Sequence, residues 1–324
     1  YPDWTWHSGG GVFIFQASPT IRNNIITDNH VDDPLGADGA SGGGICTYGG
    51  NPVIMNNIIQ NNTALYGAGV VIDYSGCLFT NNIVAGNSGG QSYGGAAFWT
   101  IGNGEWPILI ENNTVVNNEA LPPGKAGAMY LWSSDVVARN NIFRGNTQPE
   151  GGPMFLTGGA TLDLTYSNIE GGYDGEGNID ADPIFADTSF LLSSGSPCID
   201  AGNPDVLYND REDPGFPGSA LWPSFGGLTN DMGVYGGSNC CYLGKTTVGE
   251  EEHTCLPEPG DRIVNCYPNP VGDCLHVSMT LSTGQVVEVS ITDSNGRLIS
   301  VLERMFLRAG EHLLTFDPGG GSGG

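Results

Sequence analysis

Basic residues are scarce. Lys and Arg total 10 against 35 Asp and Glu, a formal charge of −25, which excludes nucleic acid and anionic membrane surfaces as partners because both are held by basic contacts. An acidic polysaccharide is disfavoured for the same reason unless calcium bridges the two. No apolar run reaches the roughly 20 residues of a membrane-spanning helix, so no transmembrane segment is expected. No paired Cys-x-x-Cys steps form a zinc knuckle, and the 5 histidines are scattered along the chain, so no zinc set or Ser-His-Asp arrangement can be named.

Glycine, by contrast, is abundant at 52 residues with no Gly-X-Y period, which excludes collagen and favours turn-rich β structure. Five of the 8 cysteines crowd into the last third, at 240, 241, 255, 266 and 274, which points to disulfides and an extracytoplasmic location. Tyr1 opens almost at once inside the repeat described next, and no signal peptide precedes it, so the chain reads as a processed or trimmed product.

One phrase is written five times between Gly10 and Asn146. Its closing words begin at Asn23-Asn24, Asn56-Asn57, Asn81-Asn82, Asn112-Asn113 and Asn140-Asn141, spaced 33, 25, 31 and 28 residues apart. Each is preceded by two short apolar runs of strand character. A repeat of this length built on strands predicts a β-solenoid of six or seven coils, each coil burying its apolar side against the next. The Asn pairs then fit tight bends whose side chains bond to backbone or to the matching Asn one coil away, a structural role.

Alternation within the first run of each coil predicts two inward columns, Val12, Ile45, Val70, Ala96, Met129 and Met154, and Ile14, Thr47, Ile72, Phe98, Leu131 and Leu156. The outward columns become Phe13, Cys46, Val71, Ala97, Tyr130 and Phe155, and Phe15, Tyr48, Asp73, Trp99, Trp132 and Thr157. Aromatics repeating on one face suit sugar rings, whose apolar faces stack while their hydroxyls seek carboxylates. Phe15, Tyr48, Trp99, Tyr130 and Trp132 are therefore the candidate ligand-binding residues; the competing expectation is that the excursions between coils fold over them.

The pattern breaks at Asn178-Ile179-Asp180-Ala181-Asp182-Pro183, followed by Ser196-Pro197-Cys198-Ile199-Asp200-Ala201-Gly202 and Asn230-Asp231-Met232-Gly233. The Asn-Asn coils resemble the right-handed parallel β-helix of pectin-lyase-like bacterial surface proteins, and these phrases resemble the segment that closes the last coil there. Beyond the acidic and proline-rich linker, Tyr267-Pro268-Asn269-Pro270, the alternating runs Leu275–Met279 and Val286–Ile291 and the turn Asp293-Ser294-Asn295-Gly296 read as a small antiparallel β-sandwich. They resemble the C-terminal sorting domain of type IX secretion. The expected layout is an all-β chain: a right-handed parallel β-helix with its cap at 1–239, a Cys-containing linker at 240–262, an incomplete sandwich at 263–317, and a Gly/Ser tail at 318–324 that reads as a linker or a truncation.

The resemblance implies a secreted or surface-displayed protein that meets secretion and anchoring machinery through its C-terminal domain and a polysaccharide or other extracellular ligand through its coils. A hydrolase would need two carboxylates about 5–9 Å apart, for which Asp73 and Glu105 are the pair on the aromatic face. A lyase of this fold would need basic residues in a groove, whereas residues 1–239 hold only Arg22, Lys125, Arg139, Arg144 and Arg211. Calcium is the one ion the sequence suggests: Asp205, Asp210, Asp213 and Asp231 supply oxygen ligands that could tie an irregular cap. The leading expectation is thus a non-catalytic glycan-binding or adhesion module, with a polysaccharide hydrolase or lyase and a structural spacer as alternatives.

Overall fold

The computed structural model describes residues 9–32, 41–89, 95–102, 106–149 and 152–244 with their side chains, and the backbone of the strands between 262 and 316. The described residues between 9 and 169 wind as a parallel β-helix. Three sheets of six parallel strands each form its sides. The first runs through Val12–Phe15, Ile45–Tyr48, Val70–Asp73, Phe98–Ile101, Met129–Trp132 and Met154–Thr157. The second starts at Thr20–Arg22 and ends at Thr161–Thr165, and the third starts at Ile25–Thr27 and ends at Asn168–Ile169.

Period-2 alternation sends one residue set of each sheet into the prism. Ile45, Ile54, Ile59, Val70, Phe79, Val84, Phe98, Ile110, Val115, Met129 and Phe143 meet there, fully buried. Phe79 and Phe98 close the middle of the core edge to face, with ring centroids 5.0 Å apart.

Two Asn ladders hold the bends. The first Asn of each pair, Asn23, Asn56, Asn81, Asn112 and Asn140, takes a left-handed φ of 50–59°, a conformation Asn tolerates better than other side-chain-bearing residues. The second then points inward and is chained to its neighbours. The Asn82 amide Nδ2 donates to Ile54 O at 2.8 Å, Thr80 O at 2.9 Å and Asn113 Oδ1 at 3.1 Å, while its Oδ1 accepts from Asn57 N at 2.9 Å and Asn57 Nδ2 at 3.0 Å. A parallel ladder runs through Asn29, Asn62, Asn87, Asn118 and Asn146. The structural role expected for these asparagines is the one they have.

The fourth coil departs from the expected register. Phe98, not Ala96, lies beside Val70, and Thr100, not Phe98, beside Ile72. The reason is a small-residue step three positions long, Gly95-Ala96-Ala97, equivalent to Gly42-Gly43-Gly44 and Gly67-Ala68-Gly69. Its alanines look like strand residues but fill a corner with no room for more: a Cβ on Gly44 would sit 2.6 Å from Gly69 O and 2.8 Å from Ile59 Cγ2. A shift of two preserves which side faces in. It therefore leaves the core intact and moves Trp99 from the second outward column to the first.

The closing segment takes an unexpected path. Rather than only covering the last coil, residues 203–241 run back along the outside of the stack over the first-Asn positions. Asn140 Oδ1 accepts from Asn203 N, Asn112 Nδ2 donates to Asn230 Oδ1 at 2.9 Å, Asn81 Nδ2 to Val234 O and Gly236 O at 3.0 and 2.7 Å, and Asn56 Nδ2 to Asn239 O at 3.0 Å. The outward asparagines of four coils thus form a rail for a strap. Cys240 to Leu243, expected in the linker, belong to it: Cys241 is buried and disulfide-bonded, and Tyr242 packs on Trp222 and Tyr235 at 4.8 and 5.9 Å.

Leu256–Gly324 forms a separate unit. Its strands pair antiparallel: Leu275–Leu281 lies between Arg262–Tyr267 and Gly310–Phe316, and Gln285–Thr292 pairs with Leu298–Leu307.

Candidate functional site on the first sheet

With the register corrected, the first outward column is Phe13, Cys46, Val71, Trp99, Tyr130 and Phe155, and the second is Phe15, Tyr48, Asp73, Ile101, Trp132 and Thr157. The two have opposite fates. Excursions between coils bring Leu65, Tyr66 and Ala126 over the first column, forming a second apolar cluster with Cys46, Val71, Trp99 and Tyr130. Trp99 stacks on Tyr66 at 4.6 Å and is 3% exposed; Tyr130 stacks on Phe155 at 5.1 Å and is 4% exposed. The expectation that Trp99 and Tyr130 face a ligand is corrected accordingly: burying two large rings under a third is worth more than leaving them in water.

The second column stays open at the corner between the first and second sheets. Phe15 and Tyr48 stack with planes 10° apart at 5.6 Å, and Tyr48 meets Tyr74 at 6.4 Å with planes 60° apart. Trp132 is 45% exposed and Tyr74 56%, and Trp106 is also exposed. Tyr74 and Trp106 escaped the sequence reading because they lie just outside the strands, where alternation carries no information.

Tyr74 occupies a defined turn position. Gln16, Gly49, Tyr74, Gly102, Ser133 and Gly158 are equivalent, each of the first five donating its N–H to the next coil in the same pattern, and all have positive φ. Glycine fits there without strain; a tyrosine at φ 43° does not. A Cβ added to Gly102 would lie 2.7, 2.9 and 3.1 Å from Cε1, Cδ1 and Cζ of Tyr74. Near-equal distances to three consecutive ring atoms place the glycine against the ring's face rather than its rim. Tyr74 thus rests on the Gly102 backbone toward the next coil and meets Tyr48 toward the preceding one, with 56% of its surface still exposed. Trp132 is set similarly against Gly158, whose added Cβ would meet Cδ1 at 2.5 Å and Nε1 at 2.8 Å.

Asp73 sits between Tyr48 and Ile101 in its column. It is half-buried, its Oδ1 is shut off from solvent without a hydrogen-bond partner, and burial pushes its carboxyl from 3.8 up to about 7. Glu105, its expected partner, lies outside the described residues, so the two-carboxylate arrangement rests on Asp73 alone.

The four cap aspartates do not converge. Asp205 Oδ1 accepts from Leu207 N at 3.0 Å and Asp213 Oδ1 from Gly215 N at 2.7 Å, each closing its own turn. Asp210 and Asp231 are buried together and receive backbone N–H bonds: Asp231 N donates to Asp210, and Asp200 N and Phe225 N donate to Asp231. Burial raises both carboxyls, and for Asp210 the neighbouring Asp231 adds to the effect. Among the described residues no group of three or more His, Cys, Asp or Glu side chains is placed to hold a metal. Amide donors to carboxylate oxygens tie the loops of the cap. Among the described cysteines, burial pushes the thiols of Cys77 and Cys240 up to about 12, which disfavours their thiolate form.

Fold and comparison agree on the class. Residues 3–148 match the family model described as the right handed beta helix region, and the chain is a right-handed parallel β-helix. Residues 265–312 match the secretion system C-terminal sorting domain. The protein is therefore a β-helix exported to the cell surface or beyond in the manner of type IX secretion. No curated protein and no solved structure matches the chain.

Proposed function

We propose that the protein is a surface-displayed glycan-binding module whose ligand lies on the ledge formed by Phe15, Tyr48, Tyr74, Trp106 and Trp132, with Asp73 as its polar contact, and whose two C-terminal sheets pack as a sandwich for export and anchoring. The observation that carries the reading is the pair of rings, Tyr74 and Trp132, each resting on a glycine with substantial area open to solvent. Such a ring offers a sugar an apolar platform at little conformational cost, since its rotamer is already held. A purely structural spacer gains nothing from exposing these rings. The β-helix fold is consistent with carbohydrate-interacting surface proteins. One observation favours a hydrolase as the second reading: a carboxyl that still holds its proton near neutrality is suited to protonate a leaving oxygen.

Affinity electrophoresis through gels carrying neutral and acidic polysaccharides, with and without calcium, tests both. The expected result is retardation in at least one glycan that Trp132→Ala loses. A cleared track in that gel would move the hydrolase ahead. Unchanged mobility in every gel would remove glycan binding.

A further inference from the structure

Two adjacent residues of the third coil, Asp73 and Tyr74, have no counterpart in the other coils: no other coil places a carboxylate at the first of the equivalent positions or an aromatic ring at the second. At the turn position of Tyr74, three coils place glycine, Gly49, Gly102 and Gly158, and two place the smaller polar residues Gln16 and Ser133. At the position of Asp73, every other coil places an uncharged residue, Phe15, Tyr48, Ile101, Trp132 or Thr157. The fold therefore needs neither a bulky side chain at 74 nor a carboxylate at 73. Both cost stability: a tyrosine in the left-handed region is strained, and a carboxylate oxygen closed off without a donor forfeits its hydration.

Local conflicts with no structural compensation mark functional positions. Here the two conflicts are consecutive and lie at one place on the ledge. Tyr74 is 56% exposed, and Asp73, sealed at Oδ1, is part exposed as a residue. We propose that Asp73 and Tyr74 form the specificity-determining subsite of the ledge and select a neutral, hydroxyl-rich sugar: one ring stacks on Tyr74 and a hydroxyl of that sugar donates to the Asp73 carboxyl. An anionic sugar is rejected because its carboxylate or sulfate would face an acceptor with no cation beside it, on a chain of formal charge −25. The inference rests on the ledge being a glycan site and adds which sugars it takes and which residues choose them.

The test uses the full chain with Tyr74→Gly, which restores the residue found in three other coils, and Asp73→Leu, which gives this position an apolar side chain as at Ile101. Thermal melts at pH 7 and electrophoresis in neutral glucan, xylan and mannan gels and in polygalacturonate and alginate gels are run together, with Trp132→Ala as the ledge control. Both variants are expected to melt higher, Tyr74→Gly by about 2–4 °C, and to bind the preferred neutral glycan about tenfold more weakly or worse. Variants that melt higher yet bind like the wild type, while Trp132→Ala does not, would overturn the subsite and leave the ledge standing. So would wild-type retardation confined to acidic gels, or lower melting of both variants, which would make the residues structural. No retardation in any gel would take down the ledge and the subsite together.

Discussion

Asn82 is the rung at which the inner ladder can be weighed. Its side chain makes five hydrogen-bond contacts: the two hydrogens of Nδ2 serve three acceptors, one hydrogen being shared, and Oδ1 accepts two. Replacement by Ala leaves Asn57 N buried without its acceptor, a loss of about 1–3 kcal/mol. Other partners retain a second bond: Thr80 O still accepts from Asn56 N, Asn57 Nδ2 still donates to Met55 O, and Asn113 Oδ1 still accepts from Asn82 N. Taking about 0.5 kcal/mol for each of the four remaining losses, Asn82→Ala should cost about 3–5 kcal/mol. Asn24 is the matched control, exposed on the first rung and donating to Arg22 O and Asn57 Oδ1, and its replacement should cost about 1 kcal/mol. Urea unfolding at equal slope measures both. Equal midpoints for the two variants would refute the ladder as the element that holds the bends.

Asp73 makes stability depend on pH. Its folded pKa, about 7, lies above the ordinary 3.8, so the folded state binds the proton more tightly; the contribution is complete below about pH 4 and disappears as pH rises through 7. The wild type should therefore lose stability relative to Asp73→Asn between pH 5 and pH 8, by at most about 2.6 kcal/mol and less in proportion to its exposure; parallel pH profiles would contradict this. Asn112→Ala removes donors to Asn230 Oδ1 and Asp231 O. Hydrogen exchange should then speed up in residues 230–237 while the sheet amides of the coils keep their protection, and uniform exchange throughout would show that the strap and the solenoid open as one.

Much of the molecule is legible without coordinates because it repeats. An Asn-Asn pair every 25–33 residues marks both the bend and the ladder, since the αL position and the inward amide favour asparagine in the first five coils, Tyr166 and Ser167 taking the two places in the sixth. Strand parity is legible for a similar reason: side chains alternate, so even the two-residue misplacement of the fourth coil left Phe98 inside. The candidate site was less legible. Phe15, Tyr48, Asp73 and Trp132 were visible as an outward column, but Trp99 and Tyr130 were assigned to the same surface, and Tyr74 and Trp106 lay in turns that alternation does not reach.

The sequence by itself determined the solenoid, its Asn-lined bends, the inward faces and the export domain, all of which are written in short periodic patterns that local chemistry enforces. Tertiary structure alone decided which aromatics remain in water, because Leu65, Tyr66 and Ala126 cover Trp99 and Tyr130 from excursions of irregular length. It also decided that the closing segment turns back along the outer asparagines, joining residues 118 positions apart at Asn112 and Asn230. Contacts between a periodic stack and a non-periodic strap have no spacing to announce them, and the desolvation of Asp73 depends on which neighbours the stacking register sets around it.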